Sequence, residues 1–231
     1  MDLYYDCPNS TPPSHYETVV LKEDTNTLIQ HVKYISFNYM NQLEGWCTKN
    51  KASILIDLVF MLNPKTIVEI GVFGGKSLIP MAYALQVTKS GKIYGIDPWD
   101  SAASAEGMDS INYDWWSTLD HGYILKGLQE KIIQFNLTEQ IILIRTTSED
   151  APLIPQIDIL HIDGNHSEKT AVLDATKWVP LVRKGGLIIF DDITWATSAG
   201  SNESAVKWMD RNCIRVATFQ EDNEWGIWVK P

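Results

Sequence analysis

The chain has 231 residues, 45% of them hydrophobic, and a formal net charge of −10. That length and apolar content suit one α/β domain with an added element, while the acidic balance and the lack of any Lys/Arg run argue against a nucleic-acid partner. Three scattered cysteines without a CxxC exclude a disulfide scaffold and a thiolate zinc site.

In chain order, residues 1 to about 16 are rich in Pro, Ser and Tyr without a period and read as an irregular arm. They carry no basic region followed by an apolar core, so no signal peptide is expected. No apolar run approaches the ~18 residues of a membrane span, and the expected setting is cytoplasmic. From about Tyr16 to Trp46, apolar residues recur at helical spacing (Leu28, Val32, Ile35), which predicts one or two helices outside the main core. ASILIDLVFMLNP (52–64) predicts a buried helix stopped at Asn63-Pro64. Short apolar strands then alternate with helices: KTIVEI, KIYGID, QIILIRT, QIDILHID and GGLIIFDD are strands, separated by helical runs. Nearly all-apolar strands are what a sheet covered on both faces requires, and the alternation implies right-handed crossovers and parallel pairing. Residues 99–118 read as an irregular insertion bearing Trp115 and Trp116. Its aromatics suit a lid or a contact between two copies of the chain equally. At the end, IRVATFQ and WGIWVK flank the turn EDNE and form a hairpin, so one of these strands runs antiparallel to the rest.

Ligands of open α/β sheets sit at the carboxyl ends of the strands. There the sequence VEIGVFGGKS places Glu69, Gly71, Gly74 and Gly75, a carboxylate beside a loop of almost bare backbone. The spacing is not that of a phosphate-binding loop, and an acid is a poor neighbour for pyrophosphate. The next strand ends in Asp97, placed to accept from two ribose hydroxyls. A nucleoside without obligatory phosphate fits, and S-adenosylmethionine is such a ligand.

These features, with IYGIDPWD, DILHIDGNHS and LVRKGGLIIFDDI, resemble the class I S-adenosylmethionine-dependent methyltransferases. The chain is most similar to their small O-methyltransferase group, which includes the catechol, caffeoyl-coenzyme A and antibiotic-sugar enzymes. The resemblance covers roughly residues 52–231. It implies a Rossmann-like methyltransferase fold, a seven-stranded sheet in the order 3-2-1-4-5-7-6 with strand 7 antiparallel and helices on both sides. The organisation expected is an N-terminal arm and helical cap over 1–50 and an S-adenosylmethionine-binding domain over 51–231. The activity implied is methyl transfer to a hydroxyl on a small molecule, without nucleic acid or membrane as partner.

On this reading Glu69, Gly71, Gly75 and Asp97 hold the cofactor. Ser77 bonds the methionine carboxylate or caps the following helix. Trp99 lies against the adenine or packs in the core. Ser148 and Glu149, in TTSED, sit where such folds contact adenine, or merely cap a helix. Asp163, Asp191 and Asp192 end two neighbouring strands, and three crowded carboxylates call for a cation; hard oxygen ligands suit Mg²⁺, Ca²⁺ or Mn²⁺, with Mg²⁺ favoured. Asp163 also stands beside the cofactor, and it or His166 is placed to take the acceptor's proton. His161, within a strand, reads as a satisfied interior residue. The alternatives are a metal-independent methyltransferase using His166 as base, a non-catalytic nucleoside-binding module, and a nicotinamide dehydrogenase, which lacks its G-x-G-x-x-G here.

Overall fold

Seven strands form one sheet in this computed structural model, which describes residues 24–197, 200–221 and 224–231. They are β1 (Thr66–Ile70), β2 (Lys92–Asp97), β3 (Ile141–Arg145), β4 (Ile157–Ile162), β5 (Val182–Phe190), β6 (Ile214–Gln220) and β7 (Glu224–Val229). Their spatial order is β3-β2-β1-β4-β5-β7-β6. The first five run parallel, and β7 pairs antiparallel with both β5 and β6. This is the order and polarity expected from the sequence. The tract expected to be an irregular arm lies outside the described residues.

Side chains alternate across a strand, so each strand feeds two layers. Ile67, Ile93, Ile159 and Ile189 enter one apolar cluster, with residues of the helices α2 (Lys49–Leu62), α3 (Leu78–Thr88) and α6 (His121–Gln134). Val68, Ile96, Leu160 and Ile188 enter the other, with residues of α7 (Glu168–Trp178) and α8 (Glu203–Asn212). The helix α1 (Thr25–Met40) does not lie outside the core: it packs on α2 and α3, and Val32 is fully buried in the first cluster.

Local signals set the helix ends. Thr48 caps α2, its hydroxyl accepting from Lys51 N at 3.0 Å, and Asn63 closes it in the left-handed conformation just before Pro64. The insertion after β2 is helical, not irregular: α4 (Ser101–Ala105) and α5 (Ser110–Thr118) start where Asp100 and Asp109 accept from Ala103 N and Asn112 N at 3.0 Å each. Two aspartates that looked like loop composition are N-caps. Among the described residues no helix is long and apolar enough to cross a membrane.

At the sheet end opposite the predicted site, Asp158 clamps three segments. Its Oδ2 accepts from Lys65 N (2.7 Å) and Thr66 N (2.9 Å), and Arg183 Nε lies 2.5 Å from Oδ1. Burial alone raises its pKa, but Arg183 and the two N–H groups outweigh burial and hold it below the ordinary 3.8. A depressed folded-state pKa gives stability that is present above the unfolded value and lost as pH falls through the folded one. Asp158→Ala is therefore expected to cost about 3 kcal/mol at neutral pH, read from urea unfolding, and the gap to wild type should shrink as the pH drops below ~4. An equal gap at pH 7 and pH 3 would contradict the assignment.

Candidate active site

A cavity of about 680 Å³ opens over the carboxyl ends of β1 to β5. Gly71, Ser77, Asp97, Ser148, Glu149, Asp163, His166, Asp191 and Asp192, all expected at the site, line it.

The glycine loop is held from below. Asp97 Oδ2 accepts from Val72 N (2.9 Å) and Phe73 N (3.0 Å), and its Oδ1 from Trp99 N (2.7 Å). Burial pushes the Asp97 pKa up, partly offset by these N–H groups. Gly71 has φ +82, and a Cβ there would stand 1.9 Å from the Asp163 carbonyl oxygen. Only a glycine lets the β1 loop touch the β4 tip this closely.

Three residues expected at the cofactor lie off the cavity wall. Trp99 is 1% exposed, and its indole N–H donates to Phe73 O at 2.9 Å, so it is core behind the loop. Gly75 packs against α6, where a Cβ would come within 2.5 Å of Leu128. Glu69 is fully buried under the floor; the Ser77 hydroxyl donates to it, and it reaches the cavity only through that residue. Ser77 makes no capping bond to α3.

Strand periodicity explains the next layer. Glu69, His161 and Asp191 follow Ile67, Ile159 and Ile189 on the face that packs against α2. Parallel register sets Glu69 beside His161. His161 Nε2 lies 3.0 Å from Asp191 Oδ2, and its Nδ1 is 3.4 Å from Glu69 Oε1. Lys51, in the first turn of α2, drops its ammonium onto Asp191 and stands 3.7 Å from Asp163 Oδ2. Burial would lower both cations' pKa values, but the acids prevail: His161 rises to about 9 and Lys51 rises too. Asp191 is driven the other way: Lys51 and His161 override burial and hold it well below the carboxylate range. Asp163 is raised well above its ordinary value by burial and by the charge on Asp191. His161 is indeed an interior residue, but one that joins two strand tips.

Asp192 turns the opposite way. Its φ is +52, rare for a residue with a Cβ, and its Oδ2 lies 2.7 Å from His166 Nε2. Asn202 Nδ2 donates to the Asp192 carbonyl at 2.7 Å and stands 3.4 Å from His166 Nδ1. Burial lowers the His166 pKa, but Asp192 more than compensates and raises it.

The three acids are thus split. One group of potential ligand atoms is His161, Asp163 and Asp191; the other is Asp163, His166 and Asp192; each lies within 4.8 Å of its fellows. Lys51 sits against the first. The second faces the cavity with every member part-exposed, and suits a hard divalent ion. The expected trio Asp163, Asp191 and Asp192 is not one set, because consecutive residues diverge at the strand end.

Two residues of the site were missed from sequence. Lys51 carried a faint signal, a lysine in the first turn of an apolar helix, where the helix dipole disfavours a cation. Asn202 carried none. Trp115 and Trp116 of the insertion, whose aromatics suited a lid or a contact between two copies, stand at the cavity mouth, joined by Trp46 and Phe73: Trp46 packs on Phe73 (5.1 Å between centroids) and Trp115 (5.5 Å), and Trp115 on Trp116 (4.8 Å). Asn165 ties the insertion to this site, its side-chain amide donating to the carbonyls of Ala103, Ser104 and Glu106 at 2.9–3.3 Å.

Comparison with known proteins gives the family and the fold. The family described as a methyltransferase domain matches residues 68–193. A caffeoyl-CoA O-methyltransferase of Stellaria longipes is 28% identical over 168 residues, 71% of this chain and 62% of that protein, so the match spans less than two thirds of its length. Among solved structures, the O-methyltransferase NovP superposes with a TM-score of 0.64 at 16% identity, covering 90% of this chain and 99% of that one. The O-methyltransferase from Bacillus cereus in complex with SAH gives 0.59 at 16% identity, covering 92% and 94%.

Asp97→Ala leaves three backbone N–H groups without their acceptor and loosens the loop at Val72 and Phe73. Affinity for S-adenosylhomocysteine, measured by calorimetry, is expected to fall at least ~10-fold. Unchanged affinity would remove Asp97 from the cofactor site.

Proposed function

The chain belongs to the methyltransferase domain family, and from that premise we propose that it transfers a methyl group from S-adenosylmethionine to a hydroxyl oxygen of a small molecule, with His166 as general base. The observation that carries this reading is the His166–Asp192 pair, 2.7 Å apart, on the wall of the same cavity as the Asp97-anchored loop.

When bound, S-adenosylmethionine supplies a sulfonium whose methyl group is open to in-line displacement. Asp97 keeps acceptor capacity beyond its three N–H bonds, since a carboxylate offers about four lone-pair sites, and can take a ribose hydroxyl. Ser148 and Glu149, on the cavity wall just beyond β3, can contact the adenine. The Ser77 hydroxyl, oriented by Glu69, stands where the loop meets α3 and can contact the methionine moiety.

An alcohol or phenol attacks only as its proton leaves. With His166 Nε2–H donated to Asp192, the lone pair lies on Nδ1, which faces the Asn202 amide at 3.4 Å; a bound hydroxyl would displace that long contact to hand Nδ1 its proton. Asp192 fixes the tautomer and stabilises the imidazolium that results, the role of an orienting acid. The aromatic wall of Trp46, Phe73, Trp115 and Trp116 offers flat apolar contact to the acceptor, and a bound acceptor would cover the exposed faces of Trp46 and Trp115.

A second reading is favoured by the grouping of Asp163, His166 and Asp192. Those residues would hold a divalent cation such as Mg²⁺, which would polarise the acceptor oxygen. The two readings part on a chelator.

His166→Ala and Asp192→Asn are each expected to lower kcat by about 10²–10⁴-fold while leaving S-adenosylhomocysteine affinity near that of wild type. Turnover is expected to persist in excess EDTA. Loss of all turnover in EDTA, restored by Mg²⁺, would replace the first reading with the second, and an undiminished His166→Ala would remove both roles for that residue.

A further inference from the structure

Lys51 occupies an improbable position. It lies in the first turn of α2, where N–H groups and the helix dipole already concentrate positive charge and acids are preferred. It is 6% exposed, so its ammonium has given up most of its water. Nothing in α2 itself compensates either loss. The compensation comes from the sheet: Asp191 at the β5 tip and Asp163 at the β4 tip, with the Trp225 ring 5.8 Å from Nζ on another side.

The place it takes is defined by other residues. His161, Asp163 and Asp191 bring their ligand atoms within 4.8 Å of one another, a spacing that would suit a divalent ion. The Lys51 ammonium sits against two of these three. An ammonium and a divalent ion cannot share that position, because each would repel the other in a buried setting.

Resting on the reading of the cavity as a methyl-transfer site, we infer that Lys51 is the resident cation of the acceptor side. It neutralises Asp163 and Asp191 as a metal would elsewhere, and it withholds Asp191 from any metal. An ammonium has three donors, and with two carboxylates beside it one remains for a ligand oxygen in the cavity that Lys51 lines. Lys51 is thus a positioning residue for the carboxylates and a donor to the acceptor oxygen. That oxygen would lose its proton to His166 and take the methyl group as the methyl–sulfur bond broke and its pair returned to sulfur, and the charge developing on the oxygen would be met by a fixed positive charge already in place. No electron or atom is supplied by Lys51 itself.

The test is to remove the charge while keeping the shape, with Lys51→Met, and to keep the charge with Lys51→Arg. Mn²⁺ binding is read by electron paramagnetic resonance, and S-adenosylhomocysteine binding by calorimetry, on the full chain. Lys51→Met is expected to bind Mn²⁺ at least ~10-fold more tightly than wild type, because His161, Asp163 and Asp191 become an open ligand set. Lys51→Arg should keep the wild-type affinity for Mn²⁺. Lys51→Met should also lose kcat with little change in S-adenosylhomocysteine affinity. Equal Mn²⁺ affinity in wild type and Lys51→Met overturns the inference. If Lys51→Met does not fold, a wild-type crystal soaked in Mn²⁺ decides: an anomalous peak between Asp163 and Asp191 overturns it, and no peak there supports it. A wild-type protein that fails to bind S-adenosylhomocysteine would sink the underlying reading instead, whatever the Mn²⁺ result.

Discussion

A buried line of charge organises this molecule. From the α3 end it runs Ser77, Glu69, His161, Asp191, Lys51, and so crosses β1, β4 and β5 before ending on α2. Each member is at most 6% exposed. Isolated, any one of them would be expensive inside a protein; two carboxylates alternating with two cations make the line tolerable, and breaking a buried pair typically costs 3–5 kcal/mol, by about the order of a whole domain's margin. The line is more than ballast. It locks three strand tips and the first turn of α2 into one relative position, and those tips are what the cavity stands on.

The same line explains why adjacent aspartates do different work. Asp191 ends the strand's inward row and is consumed by Lys51 and His161. Asp192 is one residue later, leaves the sheet in a left-handed backbone conformation, and meets His166. Pinning Asp191 fixes the backbone from which Asp192 projects. The His166–Asp192 pair is therefore built on the buried charge.

Much of this could be read from the residues. β-branched runs spaced by helical segments gave the sheet, the terminal turn gave the antiparallel strand, and acids at strand ends located the cleft. What was illegible shares a physical cause. Whether Trp99 faces a ligand or the core depends on one backbone turn: its φ is +42, and that rotates the indole behind the loop. Asp191 and Asp192 are neighbours in sequence, yet a strand end sends them to opposite sides. Lys51 precedes its partners by 112 and 140 positions (163 − 51 and 191 − 51), and only the folded chain joins them. Asp100 and Asp109 are composed like loop residues and act as caps, so α4 and α5 were hidden by the ambiguity of aspartate itself.

Asn165 stands between Asp163 and His166 and grips the carboxyl end of α4 by three carbonyls. The aromatic doorway and His166 therefore hang from one bracket. On the role proposed for His166, a guest that forces the aromatic threshold apart would pull on the segment that aims the imidazole, and bulk would be penalised at the chemical step as well as on entry. On that reading selectivity would be written into turnover more than into grip.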